Sequence, residues 1–317
     1  MLVFLIQVVC AFQSFLAHPR ILRIPLRKIR TLDNSLNLIQ QVTRIGLKPY
    51  NSQYVGTVAL GTPAQDLEVI FDTGSANFWI NSKMCQELGC QSHKAYDHQS
   101  SSSFEKFGTE IEVQFGSGSV MGRLNYEKVK IGNIEIAQQG FGEIFEESGQ
   151  VFIEGRFSGI LGLAFPQMAT SGVVPVFDSM IAEHLLDQSV FSFYFSESEG
   201  SELILGGIDY TKFSGKILWT QVIQEFYWTI LVTDVKIGAE SLNICHEGCK
   251  AAIDTGTTYL TAPSDLYDVL LSRISCDDLQ DIVFTISGHD FAIPPSAYLQ
   301  SIKDCSLNIA PLEVPEP

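Results

Sequence analysis

Asp72 and Asp254 stand 182 residues apart in two copies of one short motif, Asp72-Thr73-Gly74-Ser75 and Asp254-Thr255-Gly256-Thr257. Each copy follows a run of apolar residues, Val69-Ile70-Phe71 in the first and Ala251-Ala252-Ile253 in the second. A single Asp-Thr-Gly is an ordinary strand-to-turn signal, because these residues make tight turns rather than helix. Two copies imply two similar halves that meet face to face. Carboxylates brought together in a partly dry cleft cannot both ionise cheaply, so they share one proton. Such a pair holds a base and an acid at once. The base takes a proton from water while the acid protonates a carbonyl oxygen, which is amide hydrolysis without a covalent intermediate. Gly74 and Gly256 let backbone approach closely, and Ser75 and Thr257 offer hydroxyls to the carboxylates.

The elements that must position these residues are strands. From Tyr54 onward, apolar runs of four to eight residues alternate with Gly, Pro, Asn and Ser, the pattern of an all-β protein. Two stretches have helical periodicity: Val176–Leu186, and Ser264–Ile274 with Ser264 as its cap. Glu110–Gly132 reads as a hairpin with Phe115-Gly116-Ser117-Gly118-Ser119 at its tip. That tip is no nucleotide loop, since Gly116-x-Gly118-x-x-Met121 lacks the third glycine of the dinucleotide fingerprint and no Lys-Ser/Thr follows. No cofactor is expected. A serine hydrolase fits poorly as well, because no Gly-x-Ser-x-Gly elbow occurs and the six His have no evident Ser partner.

Charge is divided along the chain. Residues 18–48 contain seven Lys or Arg (Arg20, Arg23, Arg27, Lys28, Arg30, Arg44 and Lys48) against Asp33 alone, while the chain as a whole carries −16. The body after residue 48 is therefore strongly acidic, which rules against a nucleic-acid partner and suits an acidic compartment. The first 17 residues, MLVFLIQVVCAFQSFLA, are uncharged and short for a bilayer span, so they read as a secretory signal that leaves no membrane anchor behind. Cys10 departs with it, and six cysteines remain in a chain that is expected to be secreted, lysosomal or vacuolar.

With both motif copies and Trp79 seven residues after the first aspartate, the chain resembles pepsin-like aspartic peptidases, for which the shared-proton pair is the type case. The resemblance runs from about Tyr54 to about Tyr298 and is closest in YVGTVALGTPAQDLEVIFDTGSANFWI, FSGILGLAFP, LILGGID and DIVFTISGHDFAIPPSAY. It implies a bilobal all-β acid-protease fold with a central cleft and a few short helices, in a monomer that takes protein or peptide substrates. The implied divisions are a signal over 1–17, a short basic prosegment over 18–48, a first lobe over 49–211 with Asp72, and a second lobe over 212–317 with Asp254. It also implies disulfides Cys85–Cys90, Cys245–Cys249 and Cys276–Cys305. The rival, a zinc site on Cys245, His246 and Cys249, has no second ligand pair to complete four, so no metal is expected.

The same resemblance makes the hairpin a flap over substrate, with Phe115, Gly116 and Ser117 at its tip. Relatives usually carry Tyr where Phe115 stands, and the missing hydroxyl would have bonded toward Trp79. Ile70, Phe157 and Ile160 are implied as walls of an apolar pocket, while Leu161 reads as plain core. Relatives continue past the last Cys into a further apolar-apolar-Gly-Asp segment, which supports the second aspartate, so incomplete support of Asp254 is expected. The implied activity is an aspartic endopeptidase zymogen that cleaves between bulky apolar residues at acid pH. The alternative is a catalytically impaired, peptide-binding homologue.

Overall fold

The computed structural model describes residues 5–7, 22–29, 53–195, 201–301 and 305–313. Its elements are overwhelmingly strands, gathered into two large sheets in chain order, with short helices between. The first is eleven-stranded and runs Leu5–Gln7, Val190–Tyr194, Ser201–Leu205, Leu22–Ile29, Gln53–Leu60, Gln65–Asp72, Gly159–Gly162, Phe78–Asn81, Ile134–Ser148, Gly118–Ile131 and Glu105–Phe115. Gln53–Leu60 also pairs with Gly118–Ile131 through Ala59 and Leu60, so the sheet curls back on itself. The second is built on Trp228–Ile237, which pairs with Ile282–Ile286 on one edge and Cys249–Ala252 on the other.

Sequence dictates where each strand sits. Gln65–Asp72 begins with polar residues and ends buried through Val69-Ile70-Phe71-Asp72. That end lies between Gln53–Leu60, antiparallel, and Gly159–Gly162, parallel, and so needs apolar groups on both faces. Alternate residues of Gly159–Gly162 serve two cores. Leu161 joins the main cluster with Phe71, Phe177 and Phe191, as its apolar context predicts, while Ile160 joins a smaller cluster around Trp79. The second lobe has its own core of Val232, Val235, Ile282, Tyr298 and Ile309. Trp228 begins the second sheet yet packs in the first core, and its Nε1 donates to the Leu163 carbonyl oxygen at 2.9 Å. This contact fastens the two halves beside the cleft.

The helices depart from expectation at their ends. The first is Val176–Ala182, ending early because His184 adopts the left-handed conformation at φ 55°. The second is Ser264–Arg273, and Pro263, not Ser264, occupies the cap position. Ser264 sits one residue inside, and its N–H donates instead to Glu313 Oε1 at 2.9 Å. A carboxylate from the far end of the chain thus does the capping, favoured by the positive end of the helix.

Of the expected leader, Leu5–Gln7 pairs antiparallel with Val190–Ser192, and the rest lies outside the described residues. Of the basic stretch, Leu22–Ile29 is a strand between Ser201–Leu205 and the start of Gln53–Leu60, while Lys48 lies outside the described residues. The three disulfides are Cys85–Cys90, Cys245–Cys249 and Cys276–Cys305. They close loops of 5, 4 and 29 residues, so loop entropy predicts that removing Cys276–Cys305 costs about 4 kcal/mol against about 2 for either short loop. Urea unfolding of the three Cys→Ser pairs should rank them in that order.

Candidate active site

Asp72 ends a buried strand and Asp254 follows Cys249–Ala252, and the two turns meet across the cleft. They are locked by their threonines. Thr73 N–H donates to Thr255 Oγ1 at 3.1 Å, and Thr255 N–H returns the bond to Thr73 Oγ1 at 2.9 Å. Each hydroxyl then donates across to the opposite strand, Thr73 to the Ile253 carbonyl and Thr255 to the Phe71 carbonyl, both at 2.8 Å. Four bonds at about 1 kcal/mol each, in a closed ring, fix the relative position of the halves. Nothing in the sequence by itself marks Thr73 and Thr255 for this role. Their one trace is that both copies carry Thr at this position while Ser75 and Thr257 differ.

The glycines make the approach possible. A Cβ on Gly74 would lie 2.4 Å from Asp254 Cγ, and one on Gly256 would lie 2.3 Å from Asp72 Oδ1. Each glycine therefore faces the opposite carboxylate, and any side chain there would collide with it. Each carboxylate is held from behind in the same way. Asp72 Oδ1 accepts from Gly74 N–H at 2.8 Å and Oδ2 from Ser75 Oγ at 2.5 Å. Asp254 Oδ1 accepts from Gly256 N–H at 2.7 Å and Oδ2 from the Thr257 hydroxyl.

The surroundings differ. Asp72 is 6% exposed, and its turn rests on Gly159–Gly162 through Leu163 N–H to the Asp72 carbonyl at 2.7 Å. Asp254 is half-buried, Gly256 and Thr257 are exposed, and Cys249–Ala252 pairs only with Trp228–Ile237 among the described residues. Burial first, and the Asp254 charge second, raise the Asp72 carboxyl well above its ordinary 3.8, against the lowering effect of Ser75 and Gly74. Tyr227 is also pushed up, by burial and then by the charges of Asp254 and Asp72. In the run Phe226-Tyr227-Trp228 nothing distinguished Tyr227 from core.

Beside the pair lies an aromatic cluster. Phe115 is at the end of the Glu105–Phe115 strand, paired with Gly118 across a two-residue turn at Gly116 and Ser117. Trp79 is fully buried, with ring centroids 6.2 Å from Phe115, 5.9 Å from Phe152 and 6.3 Å from Phe157. Its indole Nε1 has no hydrogen-bond partner. Ile70, Ile160 and Trp79 form one row across three neighbouring strands, so the structure brings the expected pocket residues together. Phe152 is an addition, hidden in the short Gln150–Glu154 helix. Leu312 is another. A Cβ on Gly116 would lie 3.5 Å from Leu312 Cδ1, so the hairpin tip faces the segment after Ile309–Pro311. The cysteines lie in their disulfides, and among the described residues no group of His, Cys, Asp and Glu is placed to hold a metal ion.

Residues 53–315 match the family model described as eukaryotic aspartyl protease. Pepsin A of Sus scrofa is 38% identical over 283 residues, covering 84% of this chain and 73% of that protein. Pepsin A of Bos taurus is 39% identical over 282 residues, 83% of this chain and 76% of its own length. Gastricsin of Callithrix jacchus is 34% identical over 306 residues, 90% and 77% of the two chains.

The raised Asp72 carboxyl has a consequence for stability with a defined sign. Above pH 3.8 the folded state holds a proton that the unfolded chain releases, so this group's contribution to stability declines as pH rises. Asp72→Asn removes that decline. The melting temperature of the variant relative to the native chain should therefore rise between pH 4 and pH 7, and a difference independent of pH would contradict the shift.

Proposed function

This chain belongs to the eukaryotic aspartyl protease family and is an aspartic endopeptidase, and from that premise we propose that Asp72 and Asp254 form its catalytic pair. The observation that carries this reading is the reciprocal approach of each glycine to the opposite carboxylate, within a ring of four threonine hydrogen bonds. A water between the carboxylates would face both. With the shared proton resting on Asp72, the Asp254 carboxylate takes a proton from water as the oxygen attacks the peptide carbonyl carbon. Asp72 gives its proton to the carbonyl oxygen, forming a neutral tetrahedral diol. Asp254 then returns its proton to the amine nitrogen as the C–N bond breaks, and the Asp72 carboxylate takes a proton from a diol hydroxyl, which becomes the product carboxyl group and restores the starting state. Ser75, Thr257, Gly74 and Gly256 keep the carboxyl oxygens aimed while charge moves.

Trp79, Phe115, Phe157, Ile70 and Ile160 supply apolar surface for a bulky substrate side chain, with the Gly116-Ser117 tip as the cover. The Leu22–Ile29 strand supports a zymogen reading, since a basic segment built into the first sheet would have to be withdrawn from between two strands. Acid would aid withdrawal by discharging the body's carboxylates. The three disulfides support a secretory route, and no helix among the described residues is long and apolar enough to cross a membrane.

One observation favours the impaired, peptide-binding alternative, which is the exposure of Gly256 and Thr257 beside a half-buried Asp254. Mutation separates the two readings. Asp72→Asn and Asp254→Asn should each abolish cleavage of an apolar peptide at pH 4, by about a thousandfold or more, and the double variant should be scarcely worse than either single one. Substantial turnover by either single variant would refute the pair.

A further inference from the structure

Buried polar groups are almost always partnered, and a buried tryptophan N–H finds an acceptor as a rule. Trp79 breaks that rule at the centre of the pocket. Its ring is 0% exposed, its Nε1 is unpartnered, and its cluster mates are Val55, Ile70, Ile111, Val113, Val120, Ile144, Phe152, Phe157 and Ile160, with half-buried Phe115 packed on them. None of these side chains has a hydrogen-bond acceptor. Phe152 and Phe157, at 3% and 4% exposure, seal two sides of the indole. The third aromatic neighbour, Phe115, ends its strand beside the two-residue turn of the hairpin and is half-buried where Phe152 and Phe157 are buried. Trp79 lies in register with Ile160, and Ile160 with Ile70, two residues before Asp72. The row Ile70–Ile160–Trp79 thus leads from the strand that ends in Asp72 to the indole.

We propose that the Trp79 indole N–H is a specificity-determining donor, which hydrogen-bonds the hydroxyl oxygen of a substrate tyrosine in the apolar pocket and so selects tyrosine over phenylalanine. This rests on the peptidase reading and adds a preference to it. An apolar pocket by itself discriminates weakly between two side chains of one shape. A buried donor changes that, because the chain lacking an acceptor leaves the donor unpaired in the complex while the chain bearing one satisfies it. Phe115 is what leaves the donor available, since a phenyl group occupies the tip without offering an oxygen.

The test uses the full chain, two peptides identical except for Tyr or Phe at the residue before the cleaved bond, and the matching pair of non-cleavable statine isosteres. The native chain should favour the tyrosine peptide about tenfold in kcat/KM and bind the tyrosine isostere tighter by a similar factor. In Phe115→Tyr the protein's own hydroxyl takes the N–H, so both ratios should fall to about one. Equal use of the two peptides by the native chain, or a preference that survives Phe115→Tyr, overturns the proposal. Tighter binding of the tyrosine isostere without cleavage of either peptide upholds the donor role and counts against the peptidase reading. Failure to bind either isostere defeats both.

Discussion

The ring of hydrogen bonds between Thr73 and Thr255 is the constraint on which the rest of the molecule depends. Two carboxylates repel unless a proton lies between them, and nothing in their own chemistry would keep two separate sheets in contact at that point. The threonines supply the contact with neutral groups, backbone N–H to hydroxyl and hydroxyl to carbonyl, so its strength does not vary with pH. An ion pair in the same place would weaken in acid. The glycine close approaches follow from the distance this ring fixes, and so would the shared proton of the proposed pair.

The two halves use the same turn but support it differently. Asp72 is backed by a parallel strand and a buried floor, and the desolvation that results pushes its proton affinity upward. Asp254 stands on a strand paired along one edge by Trp228–Ile237, with more water around it. Unequal surroundings divide the labour of a chemically symmetric pair. In the proposed reaction, the carboxyl that is harder to ionise would keep the proton and the more exposed one would act as base. Trp228, anchored to Leu163 in the first lobe, carries some of the burden of holding the second turn in place.

Much of this was legible in the sequence because it depends on residue type at fixed spacing. The repeated aspartate motif, the all-β pattern, the apolar wall at Ile70, Phe157 and Ile160, and the core position of Leu161 are one-dimensional signals. Thr73 and Thr255 were visible but unremarkable, since their role exists only when the two halves face each other. Phe152, Tyr227 and Leu312 were hidden for a similar reason: a Phe in a short helix, a Tyr in an aromatic run and a Leu near Glu313 look like core or loop until the fold sets them against Trp79, within the field of the aspartates and beside the hairpin tip. Ser264 was misassigned because its capping partner, Glu313, is 49 residues away. Local cap rules see only local donors and acceptors.

Neutron diffraction from the deuterium-exchanged protein near pH 5 would test the shared-proton pair most directly, since it locates hydrogens rather than inferring them. The account predicts one deuteron on the Asp72–Asp254 pair, seated on Asp72, with the Ser75 hydroxyl directed at Asp72 Oδ2 and the Thr73 and Thr255 hydroxyls directed at Ile253 and Phe71. Two deuterons on the carboxyl groups, or none, would contradict it.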